Sequence, residues 1–386
     1  MERTGAAEQP RTQWLLVVML LVAGLFAAAQ FGKLTLTLQE LRATYPEGGA
    51  FVPVLVSVVG IVGIVLGAVA GSVVARFGIT RTILGALLAG GVLSLMQALL
   101  PPMPVFALLR VLEGVAHLAI VVAAPSLMAS ISSDADRPLV MGIWASFFGI
   151  SMALLAAMLP WVLAKGGLAL VFAGHGVGMI VMAALLFPLL PKARISAPGS
   201  APVAFLAEHR VLYTTPRLLI PGAGFVWYTI LYIALLALLP VALGLPVWVV
   251  TALPLVSIIG TLWGGVLAKR VTPDRLVAIG FALTALATAL VWVLSPAIWP
   301  LFVLFFVMAL IPAASFASIP YFNAEATDRA RATGGLAQLG NVGTTLGTPL
   351  FVLAFDAAGL GLVWGIMLVF CAAGLLSTRA LAARIK

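Results

Sequence analysis

Twelve apolar runs, each close to the roughly 20 residues needed to cross the hydrocarbon core of a bilayer as a helix, are separated by short polar breaks. They fall near 14–38, 51–74, 82–100, 104–129, 139–164, 168–190, 218–239, 247–268, 276–294, 301–321, 332–355 and 360–378. No soluble fold tolerates that pattern. The chain is 63% hydrophobic and 9% charged, and its 38 glycines and 24 prolines are tolerable where neighbouring helices satisfy the backbone. The expected fold is an all-α polytopic membrane protein of twelve transmembrane helices.

The net charge of +9 does not mark a nucleic-acid binder, because the basic residues sit at span ends instead of on one soluble face. Counted along the breaks, 17 of the 21 Lys and Arg residues fall on one side if the N-terminus is cytoplasmic. That bias predicts cytoplasmic N- and C-termini in a bacterial inner membrane. The run from Trp14 to Ala29 is too long for a signal-peptide core and is read as the first span. The single cysteine, Cys371, excludes an internal disulfide.

The segment 191–217 lies at the midpoint and is rich in Pro, Ala, Ser and charge, so it reads as a cytoplasmic linker between halves 1–190 and 218–386. The halves resemble each other. "GSVVARFGITRTIL" from Gly71 aligns with "GGVLAKRVTPDRLV" from Gly264, and Asp136, Arg137 and Gly142 align with Asp328, Arg329 and Gly334 at a spacing of 192. Two pseudo-symmetric six-helix bundles are therefore expected, with a substrate site between them near mid-membrane.

"LLRVLEGVAHLAIVV", Leu108 to Val122, carries Arg110, Glu113 and His117. At 100° per residue Glu113 and His117 lie about 60° and 20° from Arg110, so all three share one face. A charge at the bilayer centre costs on the order of 2.5–3.5 kcal/mol even on the lenient insertion scale, so that face is expected to meet a cavity or polar partners. Lys33 and Gln30 of the first span reach the same depth. Two cations facing one acid predict a small, anionic substrate held by Lys33, Arg110 and Gln30, since guanidinium offers a planar fork for oxyanions. The competing reading has Arg110 donating to backbone carbonyls and pairing with Glu113 as a packing device. Glu113 and His117 are the candidate proton-coupling groups; His175, without a charged neighbour in sequence, reads as a packing or interfacial histidine. In the second half Trp227, Tyr228, Tyr232, Gln338 and Asn341 are candidates for the rest of the substrate.

Over nearly its whole length the chain resembles the major facilitator superfamily. Gly71, Arg76, Gly78 and Arg81 resemble its gating motif G-x-x-x-D-R-x-G-R-[KR] between the second and third helices, with Ala75 at the aspartate position and Ile79 at an arginine position. Arg110 and Gly114 resemble the fourth-helix motif R-x-x-x-G. "GIWASFFGISMALLAAMLP" lacks the fifth-helix antiporter motif G-x-x-x-G-P-x-x-G-G. The resemblance implies that the first, fourth, seventh and tenth helices line a central cavity, placing Lys33, Arg110, Glu113 and His117 along it.

No phosphate-binding loop, metal-ligand spacing or nucleophile with its base is present, so neither ATP-driven pumping nor an enzyme is expected, and no cofactor or metal. The expected function is proton-coupled secondary transport of a small organic anion or amphiphilic metabolite by alternating access, with a drug or metabolite efflux antiporter as the alternative. The expected partners are that small molecule, protons and the lipid bilayer, with no nucleic acid and a monomeric chain.

Overall fold

Proline and glycine decide where the apolar runs turn into separate helices. Pro104, Pro138, Pro273 and Pro300 each stand in a first helical turn, where the missing N–H is no loss. The computed structural model describes residues 11–52, 54–191, 204–295 and 297–385. Its helices in the first half are α1 (Trp14–Leu36), α2 (Leu38–Thr44), α3 (Val54–Phe77), α4 (Ile79–Ala98), α5 (Met103–Ser130), α6 (Arg137–Ala145) and α7 (Phe147–Leu186). The second half holds α8 (Phe205–Thr214), α9 (Pro216–Ala242), α10 (Val247–Leu267), α11 (Pro273–Leu294), α12 (Trp299–Met308), α13 (Leu310–Phe322) and α14 (Ala326–Ile385).

Among the described residues ten continuous apolar helical stretches carry twelve crossings, because two stretches are doubled back on themselves. The stretch 137–186 and helix α14 are 50 and 60 residues long, which at 1.5 Å per residue would make straight helices of about 75 and about 90 Å, more than twice a bilayer core. Each is broken at a glycine in the left-handed region, Gly167 (φ 58°) and Gly359 (φ 66°). A residue with a Cβ resists that backbone, so these glycines permit the reversal. They stand 192 positions apart, the same spacing as the sequence repeat. The fold is the twelve-helix arrangement of two pseudo-symmetric six-helix bundles.

With an even number of crossings both chain ends lie on one face, called here the termini face. One continuous apolar core runs through both halves, while large side chains such as Leu286 and Val293 stay exposed toward the lipid. On the opposite face α2 and the 3-10 turn Pro46–Phe51 close over the first half: Tyr45 donates to the Pro101 carbonyl (2.7 Å) and packs on Phe106.

Part of the linker is helical. Phe205–Thr214 forms helix α8, and Leu212 on its inner side is buried. Residues 192–203 of the linker lie outside the described residues.

Candidate functional site

The charged stripe of the fourth crossing points into the first bundle, where α1, α4, α5 and α7 meet. Glu113 is the centre. Lys33 donates to its Oε1 (2.6 Å), Gln97 donates to its Oε2 (2.7 Å), and Arg110, one turn earlier on α5, also donates to Oε2. Lys33 uses its other two N–H groups on Ser94 Oγ (2.9 Å) and His175 Nδ1 (3.2 Å). The tautomer follows from the partners: Phe26 carbonyl can only accept, so His175 Nε2 carries the proton (3.0 Å), and Nδ1 is free to accept. Arg110 also donates to the carbonyls of Leu55 on α3 (3.2 Å) and Gln30 on α1 (3.0 Å). Lys33, Arg110, Glu113 and Gln30 are between 0% and 1% exposed.

A different set of residues lines the space between the halves. This central cavity, about 200 Å³, is walled by Phe31, Val59 and His117 on the first half, by Trp144, Phe147 and Phe148 on α6 and α7, and by Phe225, Tyr228, Thr229, Tyr232, Ser257, Thr261, Phe316, Asn341 and Thr344 on the second. The two tyrosines stack at 5.3 Å, as do Trp144 and Phe147 at 4.7 Å. Among the described residues its lining contains no carboxylate, lysine or arginine. His117 engages the Ala27 carbonyl through Nδ1 (2.8 Å), which fixes the proton there and leaves Nε2 as the ring's unprotonated nitrogen.

The structure therefore divides the sequence candidates. Tyr228, Tyr232, Asn341 and His117 line the cavity; Lys33, Arg110, Gln30 and Glu113 do not, contrary to the expectation that they face it, because the charged groups are turned onto one another and onto backbone carbonyls and the Gln30 amide onto the Met179 sulfur. Trp227 also stands away from it, donating to Ser377 Oγ (3.2 Å) beside Phe370. Gln338 is clasped at the termini-face end: it donates to the Ile64 carbonyl (2.6 Å) and to His209 Nε2 (3.2 Å), and accepts from Tyr213 (3.1 Å). Sequence reasoning missed Ser94, Gln97 and the role of His175 in the buried cluster, and Trp144 and Phe147 in the cavity wall. Each of the first three is a lone polar residue in an apolar span, which is itself a signal that a partner waits on another helix.

Below the cavity the halves close on the termini face. A Cβ on Gly71 of α3 would stand 2.3 Å from the Ala330 carbonyl oxygen of α14, and one on Gly334 2.4 Å from that of Gly67. The pseudo-equivalent seam repeats this: a Cβ on Gly142 of α6 would lie 2.7 Å from Gly265 Cα of α10. Close approach of two backbones is what glycine permits at both seams. Lys269 donates to Asp136 Oδ1 (3.2 Å) across the second seam, and Thr12 donates to its Oδ2 (2.8 Å). The Thr12 hydroxyl and then Lys269 hold the Asp136 carboxyl below the usual carboxylate range. Of the other gating residues, Gly78 turns the chain into α4 with φ 87°, while Arg76 and Arg81 are exposed at the adjoining helix ends.

The Major Facilitator Superfamily profile matches residues 15–247. No curated protein sequence matches the chain closely enough to count as a relative. Among solved structures, the Escherichia coli fucose:proton symporter FucP superposes with a TM-score of 0.74 at 15% identity, covering 96% of this chain and 99% of that one. The proton:xylose symporter XylE bound to 6-bromo-6-deoxy-D-glucose superposes at 0.72 with 13% identity, covering 97% and 96%. At such identities the likeness speaks to the fold, and it agrees with the two-bundle architecture described above. With its profile match spanning more than half of the sequence, the chain belongs to the major facilitator superfamily of membrane transporters.

Proposed function

We propose that this protein is a proton-coupled secondary transporter that moves a compact amphiphilic organic molecule through the central cavity by alternating access. The observation that carries this reading is the cavity itself: an aromatic wall with hydroxyls and one amide, and His117 as its imidazole. Tyr228, Tyr232, Trp144 and Phe147 offer flat apolar faces; Asn341, Thr344, Thr229 and Ser257 offer hydrogen bonds that orient a polar end. An anionic substrate, the other branch of the sequence reading, draws less support, since Lys33 and Arg110 are spent on Glu113.

His117 is the proton-coupling residue of this proposal. A proton arriving at Nε2 places a positive charge in an apolar cavity, a state favoured only when substrate oxygen or water is there to accept from it. Substrate and proton therefore help each other to occupy the site. Glu113 serves as the buried anion that clamps α1 and α4 to α5, and the two solved neighbours, described as proton symporters, agree with proton coupling. Following the Lys and Arg bias, the termini face is assigned to the cytoplasm of a bacterial inner membrane, and the chain is taken as a monomer of two bundles, 1–190 and 218–386, joined by 191–217.

Efflux by proton antiport is the second reading, favoured by the aromatic lining. Purified protein in proteoliposomes loaded with a pH-sensitive dye separates the two: after a thermal-shift screen selects a ligand, its inward gradient acidifies the lumen for a symporter and alkalinises it for an antiporter. His117→Ala is expected to lose proton movement by at least about tenfold while retaining substrate counterflow, the loss typical of removing a positioned proton-transfer group. Proton-linked flux at the wild-type rate in His117→Ala overturns the assignment.

A further inference from the structure

The linker helix touches the gate in a way that a passive tether has no need to do. Glu208 on α8 receives the Ser72 hydroxyl of α3 at 2.5 Å and the Arg331 guanidinium of α14 through both Nε and Nη2, each at 3.1 Å. Arg331 Nε also donates to Ser72 Oγ (3.1 Å). One carboxylate on the connector is thus hydrogen-bonded to both halves at the seam where Gly71 meets Ala330 and Arg331. The neighbouring side chains repeat the arrangement. His209 and Tyr213 hold Gln338 of α14, which itself reaches the Ile64 carbonyl of α3, and Leu212 packs on Gly335. Two successive turns of α8 lie across one junction.

Within the α3 segment at this seam there is no acid to meet Arg331: position 75, one turn from Gly71, is Ala75. The carboxylate comes from the connector instead. A bidentate Arg–carboxylate pair only 13% exposed on the Glu208 side is the geometry in which an ion pair near a surface contributes to a conformational balance. Separating the halves on the termini face must break the Ser72 bond, the Arg331 pair, or both.

We propose that Glu208 is a positioning residue of the transport cycle, making α8 a latch that holds the termini face closed and must lift from one half before the site can open to that face. The latch rests on the alternating-access reading above. Among the described residues the pseudo-equivalent α6–α10 seam has no such strap; there the tie runs directly from Lys269 to Asp136. The two seams differ because a chain of two repeats has only one connector to place.

The test uses the full chain in lipid nanodiscs, with Cys371→Ser and spin labels on Asp134→Cys and Arg275→Cys, one on the termini face of each half. Pulsed electron-spin distance measurements then report separation of that face. Glu208→Gln is expected to raise the separated population about fivefold. Arg331→Gln, reaching the pair from the other half, gives the same rise, and the exchange Glu208→Arg with Arg331→Glu brings the population back toward wild type. Asp136→Asn is the control on the other seam. If Asp136→Asn separates the labels and Glu208→Gln does not, the latch is wrong and the moving halves stand. If no variant separates them, the alternating-access reading fails and the latch falls with it. Recovery of folded protein is checked by circular dichroism, and a rise in Arg331→Gln without one in Glu208→Gln also overturns the proposal.

Discussion

Glu113 sits between two cations, and the sign of that imbalance predicts how substitutions rank. Removing Lys33 leaves a neutral Arg110–Glu113 pair that still reaches the Leu55 and Gln30 carbonyls. Removing the acid leaves two buried cations without a counter-charge. Glu113→Gln is therefore expected to destabilise the protein by about 3–5 kcal/mol, the usual result of breaking a buried pair, whereas Lys33→Met costs less than about half of that. Thermal unfolding in detergent measures both, and equal losses would show that Lys33 and Glu113 act as an isolated pair. The charged residues themselves were legible in the sequence, because ionisable groups in apolar spans stand out. Their orientation was not. His175 lies 142 positions from Lys33, and Gln97 stands on α4, the helix before that of Glu113, so only packing of α1, α4, α5 and α7 could reveal that Lys33, Arg110 and Glu113 find their partners inside the bundle.

The helices that form the two seams depend on positions where no side chain fits. Backbone atoms, which cannot swing aside, face Gly71 and Gly334 at 2.3 and 2.4 Å from where a Cβ would stand. Gly71→Val and Gly334→Val are expected to prop the α3–α14 seam apart and shift the population toward the state open on the termini face. Labelling of a cavity cysteine, Thr344→Cys, from that face should speed up by about tenfold or more if the shift exceeds roughly 1.4 kcal/mol. Unchanged labelling would mean that the seam has room the structure does not show. The glycines were readable as a repeat and as a motif resemblance, and the spans they end were placed within a few residues of α3, α4 and α5. Helix α8 escaped notice because the Pro- and Ser-rich stretch before it dominated the composition, although Phe205, Leu206 and Leu212 carry the apolar signal of a short surface helix.

The molecule closes one face with two unlike devices on a two-fold repeat. Asp136 and Asp328 are repeat partners: the first accepts from Thr12 and Lys269, the second from Arg217. Because Thr12 and Lys269 hold the Asp136 carboxyl down, its tie favours the closed face at any pH above the ordinary carboxylate range, and that contribution is lost as pH falls through the lowered value. Acidification on the termini face is thus expected to separate the spin labels only as pH falls below the ordinary carboxylate range, and Asp136→Asn to weaken that pH response; a response confined to neutral pH would place the titrating group elsewhere. The number of crossings, the repeat and the family were all readable from the residues alone, because a bilayer imposes its thickness and its demand for satisfied backbone on every span locally. Which charges reach the cavity, and where the gate finds its carboxylate, depended on the rotation of each helix against neighbours distant in the chain. A charged stripe has two ways to avoid lipid, facing water or facing partners, and composition is the same for both; only the packed arrangement chose the partners for Lys33, Arg110 and Glu113 and left His117 to the cavity.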